Sequence, residues 1–242
     1  MPQDSRTTSA ATALGRAGAA AAAVALLGAG AAAAQQPDPK PDKPKPAPAA
    51  PAVTLEARPT TITAGESVRL DGRVANANGR VEVHLERDPA PLGDGFSRQR
   101  TVTTNPNGAF SVTLPVVVNS DYRAAAQTTP VATSPNVRVE VRHFVGLRVS
   151  TTATVPGQRV GFTGIVKPAR AAGKTAVIQR QRPSGTWRTV ATTTISAATS
   201  SYARYRTRVT IRRGGDYRVK VRGDEANLSG VSAVRTITAS AR

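Results

Sequence analysis

The sequence predicts an all-β protein in which two successive antiparallel β-sandwiches follow an export signal and a proline-rich spacer. Three observations predict it. From Val53 onward, short alternating apolar and polar runs are separated by turn residues about every 8 to 12 positions. That scheme recurs once, after about 95 residues, which is too long for a solenoid unit and marks the repeat of a whole domain. Residues 1–52 obey neither rule.

Residues 1–34 read as a secretory signal peptide. Arg6 and Arg16 make the start modestly basic, Ala17 through Val24, Leu26 and Leu27 form a small-apolar core, and Ala32-Ala33-Ala34 offers a cleavage site before Gln35. The stretch is too short and too mildly apolar for a spanning helix, so no transmembrane segment is expected unless the signal is retained as an anchor. Residues 35–52, QQPDPKPDKPKPAPAAPA, carry proline at 37, 39, 41, 44, 46, 48 and 51. That density forbids helix and ladder pairing and predicts a disordered Pro/Lys-rich linker of polyproline II character, up to roughly 55 Å long. The chain has no cysteine. Neither sandwich can be held by a disulfide, and a lipid-anchored cysteine is excluded. No apolar tail or sorting motif stands in Thr238-Ala239-Ser240-Ala241-Arg242, so the expected location is secreted, extracellular or in the cell envelope.

The first sandwich is placed at 53–144. Its inward rows are Val68-Leu70 with Val74, Val81-Val83-Leu85, Phe110-Val112-Leu114, Tyr122-Ala124-Ala126 and Val137-Val139-Val141. The skipped positions are mostly polar (Arg69, Asp71, Arg73; Glu82, His84, Glu86; Arg138, Glu140, Arg142), as in a sheet with one buried and one wet face. The second sandwich is placed at 145–242. Its inward rows are Val160-Phe162 with Val166, Ala176-Ile178, Trp187 with Val190, Tyr205-Thr207-Val209-Ile211 and Tyr217-Val219-Val221, with a last strand from Val231 to Ile237. Thr63-Ala64-Gly65-Glu66-Ser67-Val68 aligns with Val155-Pro156-Gly157-Gln158-Arg159-Val160, each followed by a glycine, Gly72 or Gly164. Asp121-Tyr122-Arg123 aligns with Asp216-Tyr217-Arg218, placing a tyrosine where a sandwich keeps a corner tyrosine whose hydroxyl reaches backbone. The short connection His143-Phe144-Val145-Gly146 predicts a restricted interdomain orientation with Phe144 packed at the junction.

Gly173-Lys174-Thr175-Ala176-Val177-Ile178-Gln179-Arg180, then Gly185-Thr186-Trp187-Arg188-Thr189-Val190, then Gly214-Gly215-Asp216-Tyr217-Arg218-Val219, resemble the bacterial immunoglobulin-like (Ig-like) repeats of secreted and surface proteins. The resemblance covers nearly all of 53–240, more loosely in the first half, where Phe96 stands in place of the tryptophan. It implies two tandem Ig-like sandwiches that serve spacing, adhesion or ligand presentation. Such repeats share no catalytic residues, so no site transfers with it.

Catalytic and metal chemistry find little support in the composition. There are two histidines. His84 lies on the outward side of a strand between Glu82 and Glu86, and His143 lies in the connection; both are expected to be solvated. Glu82, His84 and Glu86 share a strand face but are spaced about 6.6 Å apart, so they cannot converge on one metal. Asp88, Asp94 and Asp121 sit in no calcium-loop pattern. Phosphate loops, nucleophile elbows and CxxC pairs are absent. The expectation is a protein that is not an enzyme, with no catalytic residue, no metal and no cofactor.

Charge is distributed unevenly. Residues 53–144 hold 10 basic and 9 acidic side chains, whereas residues 145–242 hold 18 and 3, which accounts for most of the formal charge of +18. Arg204, Arg206 and Arg208 alternate with Tyr205, Thr207 and Val209 and form a comb on one strand face, with Arg212 beyond. Arg218, Lys220 and Arg222 repeat the pattern one strand later. Guanidinium groups grip phosphate and carboxylate bidentately, so these seven residues are the candidate polyanion-binding set. The partners to consider are an anionic cell-wall polymer, an acidic polysaccharide or a surface protein. The outward rows lack interleaved aromatics for stacking bases, which argues against sequence-specific nucleic-acid recognition. Heavy use of Ala, Arg, Gly, Pro and Val is also the habit of a high-GC bacterial genome, which enriches arginine without reference to binding.

Overall fold

The computed structural model describes residues 49–76 and 79–240; the expected signal peptide and almost all of the spacer lie outside the described residues. Among these residues, nine strands build the first half: β1 (Ala52–Arg58), β2 (Thr61–Thr63), β3 (Ser67–Ala75), β4 (Glu82–Pro89), β5 (Ser97–Thr103), β6 (Ala109–Pro115), β7 (Ser120–Ala126), β8 (Ala132–Thr133) and β9 (Val137–Arg142). They form two sheets, β1-β3-β6 and β2-β9-β7-β4-β5 with β8 beside β7. Eleven strands build the second: β10 (Phe144–Val145), β11 (Arg148–Val149), β12 (Ala153–Thr154), β13 (Arg159–Lys167), β14 (Thr175–Gln181), β15 (Trp187–Thr194), β16 (Ser196–Ala197), β17 (Ala203–Thr210), β18 (Gly215–Val221), β19 (Gly230–Val231) and β20 (Arg235–Ala239). Their sheets run β10-β13-β17-β16, with β11 also on β13, and β12-β20-β18-β14-β15, with β19 on β18.

The two strand orders are equivalent. In each, a short early strand pairs in parallel with the last long one, β2 with β9 and β12 with β20, while the long ladders are antiparallel. Each also has a register shift at the same place, between Leu85 and Glu86 and between Ile178 and Gln179. This is the order of immunoglobulin-like sandwiches, all-β as the alternation predicts.

Alternation explains the cores. Val68, Leu70, Val83, Leu85, Tyr122, Ala124, Val139 and Val141 close the first, and Val160, Phe162, Ile178, Tyr205, Ile211, Tyr217, Val219 and Ile237 the second. Each fully buried aliphatic side chain contributes about 1.5–3 kcal/mol, and without cysteine these cores carry the stability. A mid-strand glycine sits opposite an aromatic in both halves, Gly72 across from Phe110 and Gly164 across from Tyr205. The ring crosses the glycine, and a β-carbon would meet it at 2.2 Å from Phe110 Cζ or 2.6 Å from Tyr205 Oη. The Tyr205 hydroxyl donates to Gly146 O at 2.6 Å, and burial pushes its phenol above the ordinary tyrosine range, keeping it a donor.

The Asp-Tyr-Arg repeat is a small machine. Its tyrosine is buried in both halves, and the Tyr217 hydroxyl donates to Arg213 O at 2.8 Å, as a corner tyrosine does. Its arginine stacks on an aromatic of the neighbouring hairpin: Arg123 at 4.3 Å from the Phe96 ring centre, Arg218 at 3.9 Å from that of Trp187. Arg123 Nε donates to Glu86 at 2.6 Å, whereas Arg218 Nε donates to the neutral Gln179 at 3.0 Å. The same framework has lost a carboxylate in the second half, one source of its charge.

Two inward expectations are corrected here. Trp187 and Val190 do not face the core: Val190 is 39% exposed, and Trp187 shares the outer face with Gln179 and Arg218. β15 is the sheet's edge, and its register beyond the shift at Ile178/Gln179 sets this face. The last strand is two, β19 and β20, on different parts of β18.

The halves meet through the loop after β18. Leu228 N–H donates to Val141 O at 2.8 Å, and His143 N–H returns to Leu228 O at 3.0 Å. Two buried asparagines lock this contact. Asn119 Nδ2 donates to Glu225 O at 2.7 Å while its Oδ1 accepts from Val141 N–H at 2.8 Å. Asn227 Nδ2 donates to Val117 O at 2.8 Å and to Val141 O at 3.3 Å. Ala90, Val118 and Ala226 add a small apolar contact.

The junction reverses two further expectations. His143 is 2% exposed rather than solvated, and Phe144, at 38% exposed, points outward against Lys167 instead of packing into the joint. His143 Nδ1 lies 3.3 Å from Lys167 O, and its Nε2 has no hydrogen-bond partner among the described residues. Burial holds the imidazole below its ordinary pKa, as do Lys174 and Arg170, against the opposing pull of the Lys167 carbonyl and Asp224. A folded pKa below the unfolded value leaves stability level while both states are neutral. Stability then falls once the unfolded chain takes up a proton, below about pH 6.5. Urea unfolding between pH 6.5 and 5.5 is expected to lose up to about 1.4 kcal/mol per pH unit through this residue, and His143→Gln to flatten that slope. A wild-type slope that His143→Gln leaves unchanged would exclude the mechanism.

Candidate anion-binding face

The seven candidate residues are sorted by the strand order. Arg204, Arg206 and Arg208 are exposed on β17, whose outer face belongs to the β10-β13-β17-β16 sheet. Arg218 and Lys220 lie on β18, in the opposite sheet, so the two combs face away from each other. Arg218 is committed to Trp187 and Gln179, and burial lowers its pKa. Arg212 is exposed in the turn after β17, and Arg222 is exposed just past β18. The structure therefore brings three of the seven onto one free face, leaves Arg212 in the turn at the end of the same strand, and sets Arg218 and Lys220 on the opposite sheet with Arg222 just past them.

That face gains cations the sequence reading did not select. Register places Arg206 opposite Thr163 and Thr163 opposite Arg148, a row across three strands with the two arginines about 10 Å apart. Arg208 is opposite Gly161 and Arg204 opposite Ile165, while Arg159 is exposed at the start of β13. Arg148, Arg159, Arg204, Arg206 and Arg208 thus share the face, and the second half's acidic residues, Asp216, Asp224 and Glu225, all lie on or beyond β18. Among the described residues none of the five is in an ion pair. Five of the six pairs are in the first half, and the sixth joins Lys174 to Asp224. The alignment of Gly72 with Gly164 was the signal that could have found Arg148, because it fixes which residues stand side by side.

The equivalent face of the first half is an internal reference. With Phe110 and Tyr205 in register, Arg204, Arg206 and Arg208 stand where the first half has Ala109, Ser111 and Thr113. Two of the three cations on that face are paired locally, Arg58 with Glu56 at 2.7 Å and Arg69 with Asp71 at 2.8 Å, which holds the Asp71 carboxyl below the usual range, while Arg73 is exposed and in no ion pair among the described residues. A genome-wide preference for arginine acts on both halves alike, so it does not account for the difference.

Among the described residues no group of histidine and carboxylate side chains is arranged to hold a metal. His84 Nε2 is bound to Glu82 at 2.8 Å, outward as expected. Among the same residues no helix is long and apolar enough to cross a membrane.

No protein-family model matches the sequence, and no curated protein matches it. Among solved structures, the chain is similar to a marsupial T cell receptor, at 11% sequence identity over 78% of this chain and 73% of that one, with a TM-score of 0.30. The fold assignment rests on the strand order of the two halves, which is that of immunoglobulin-like β-sandwiches.

Proposed function

We propose that this is a non-catalytic interaction module of the bacterial Ig-like tandem-repeat type, exported to the cell envelope or medium, whose second sandwich binds an anionic polymer through the outer face of β13 and β17. The observation that carries the reading is the row of free arginines at 204, 206 and 208 where the first sandwich carries Ala109, Ser111 and Thr113. Arginines about 6.8 Å apart along a strand suit a flexible repeating anion better than a single small ligand. The nearly neutral first sandwich and its hydrogen-bonded junction support a presenting role, holding the basic face in a fixed setting.

The test uses the whole chain on a heparin matrix. Replacing Arg204, Arg206 and Arg208 by serine is expected to weaken binding about 10- to 100-fold and to flatten its salt dependence, since each exposed charge contact contributes up to about 1 kcal/mol. Arg58→Ser, Arg69→Ser and Arg73→Ser together remove the same charge from the first sandwich and should leave elution nearly unchanged. Equal losses in the two triple variants would reduce the effect to net charge and refute a binding face.

A further inference from the structure

A general anion surface does not explain the groove beside these arginines. The first strand of the second sandwich is interrupted at Gly146 and Leu147, between β10 and β11, and a groove of about 740 Å³ opens there. Its floor is apolar. Ile165 faces outward, and Gly146 adds only backbone, whose N–H donates to Ile165 O at 2.8 Å while its carbonyl takes the Tyr205 hydroxyl. Phe144 stands at one end, and Arg148, Arg204 and Arg206 flank the floor, joined by Arg235 from the neighbouring sheet. In the first sandwich the uninterrupted β1 carries Thr54 at the place of Gly146, and β3 carries Arg73 at the place of Ile165. The second half has thus exchanged a polar pair for an apolar one at the centre of its most basic face.

A ligand that fits must join carboxylates or phosphates to an apolar surface. A polyphosphate has the anions and no apolar face. A nucleic acid has flat bases that require stacking partners, and of the two aromatic residues lining the groove Tyr205 is buried beneath the floor and only Phe144 is exposed. A pyranose bearing a carboxylate has both parts in one unit: its axial C–H groups form an apolar face, and its carboxylate projects from the ring edge. We infer that the groove recognises the acidic sugar units of a polyuronate-type polysaccharide, with the ring face on Ile165 and Phe144 and the carboxylate on the flanking guanidiniums. The inference rests on the anion-binding reading of the same face and names its ligand class. Arginine's planar fork suits carboxylate bidentately, whereas the apolar floor rewards only a ligand that covers it.

The experiment titrates the whole chain with oligogalacturonate, with polyphosphate of equal charge and with polyglutamate, by calorimetry at one salt concentration. Phe144→Ala and Ile165→Thr leave the charge unchanged and replace surface side chains, so thermal melting checks that each stays folded. Each is expected to weaken oligogalacturonate about 10-fold while leaving polyphosphate within about twofold, whereas Arg206→Ser weakens both. Equal effects of the apolar variants on all three polymers, or none, would overturn the sugar assignment and leave the anion face standing. Polyglutamate bound as tightly as oligogalacturonate by the wild type would replace the sugar with an acidic protein segment. Failure of Arg206→Ser to change any of the three would remove the anion-binding reading itself.

Discussion

Gly164→Ala is expected to lower the melting temperature by more than about 10 °C or to abolish folding, although it adds one methyl group to the middle of a strand. A β-carbon there would lie 2.0 Å from Gly146 O, 2.6 Å from Tyr205 Oη and 2.7 Å from its Cε1. The obstacles are a backbone carbonyl and a buried ring, and neither can yield alone, because the Tyr205 hydroxyl is bonded to that carbonyl. Relief requires β10 and β11 to lift from β13, or the ring to leave the core. Overpacking of this kind costs about 3 kcal/mol, and in a domain of this size that corresponds to a shift well above 10 °C. Gly161→Ala, three residues earlier on the same strand, is the control. Its β-carbon would meet Ser150 at 3.5 Å, an ordinary contact, and the change should be neutral or slightly stabilising. Near-identical melting of the two variants would show that the ring does not cross the glycine as closely as described.

The second large effect concerns the joint. Asn227→Ala removes the donors to Val117 O and Val141 O, one of which is left buried without its side-chain partner, at a cost of about 2–3 kcal/mol. Because both carbonyls belong to the first half and Asn227 to the second, the loss falls on the coupling of the two sandwiches. Calorimetry is expected to show the unfolding transition broadened or split, and limited proteolysis to gain a cut between residues 142 and 147. Asn227→Asp should be worse, since a carboxylate would face two carbonyl oxygens with no proton to donate. An Asn227→Ala protein with unchanged proteolysis and melting would mean that the halves are held by other contacts.

Much of the fold could be read from the sequence, because alternation records burial directly. Val83-Leu85, Tyr122-Ala124-Ala126 and Val160-Phe162 are inward for the reason they look inward, and the Asp-Tyr-Arg repeat located both tyrosines. The exceptions lie where burial is decided from far away. His143 is one residue between two strands and has no periodicity of its own; Leu228 and Gly230, some 85 positions later, cover it. Asn119 and Asn227 resemble ordinary loop residues until the loops meet. Trp187 misled because a large aromatic in a strand suggests core, whereas here its ring is covered by an arginine. At the candidate face, the comb on β17 was visible in the spacing of its arginines. Its companions Arg148 and Arg159, and the apolar floor at Ile165, required the register between strands, which a single strand's pattern does not contain.

The parallel pairing of β2 with β9, and of β12 with β20, decides how the protein bears load. A pull that enters a sandwich ahead of its early strand and leaves past its last one drags two parallel neighbours in opposite directions. The bonds between them lie across the pull and are strained together, instead of opening one after another as in a peeled hairpin. Each sandwich therefore resists stretching along the chain in shear, and the two stand in series through a joint one residue long.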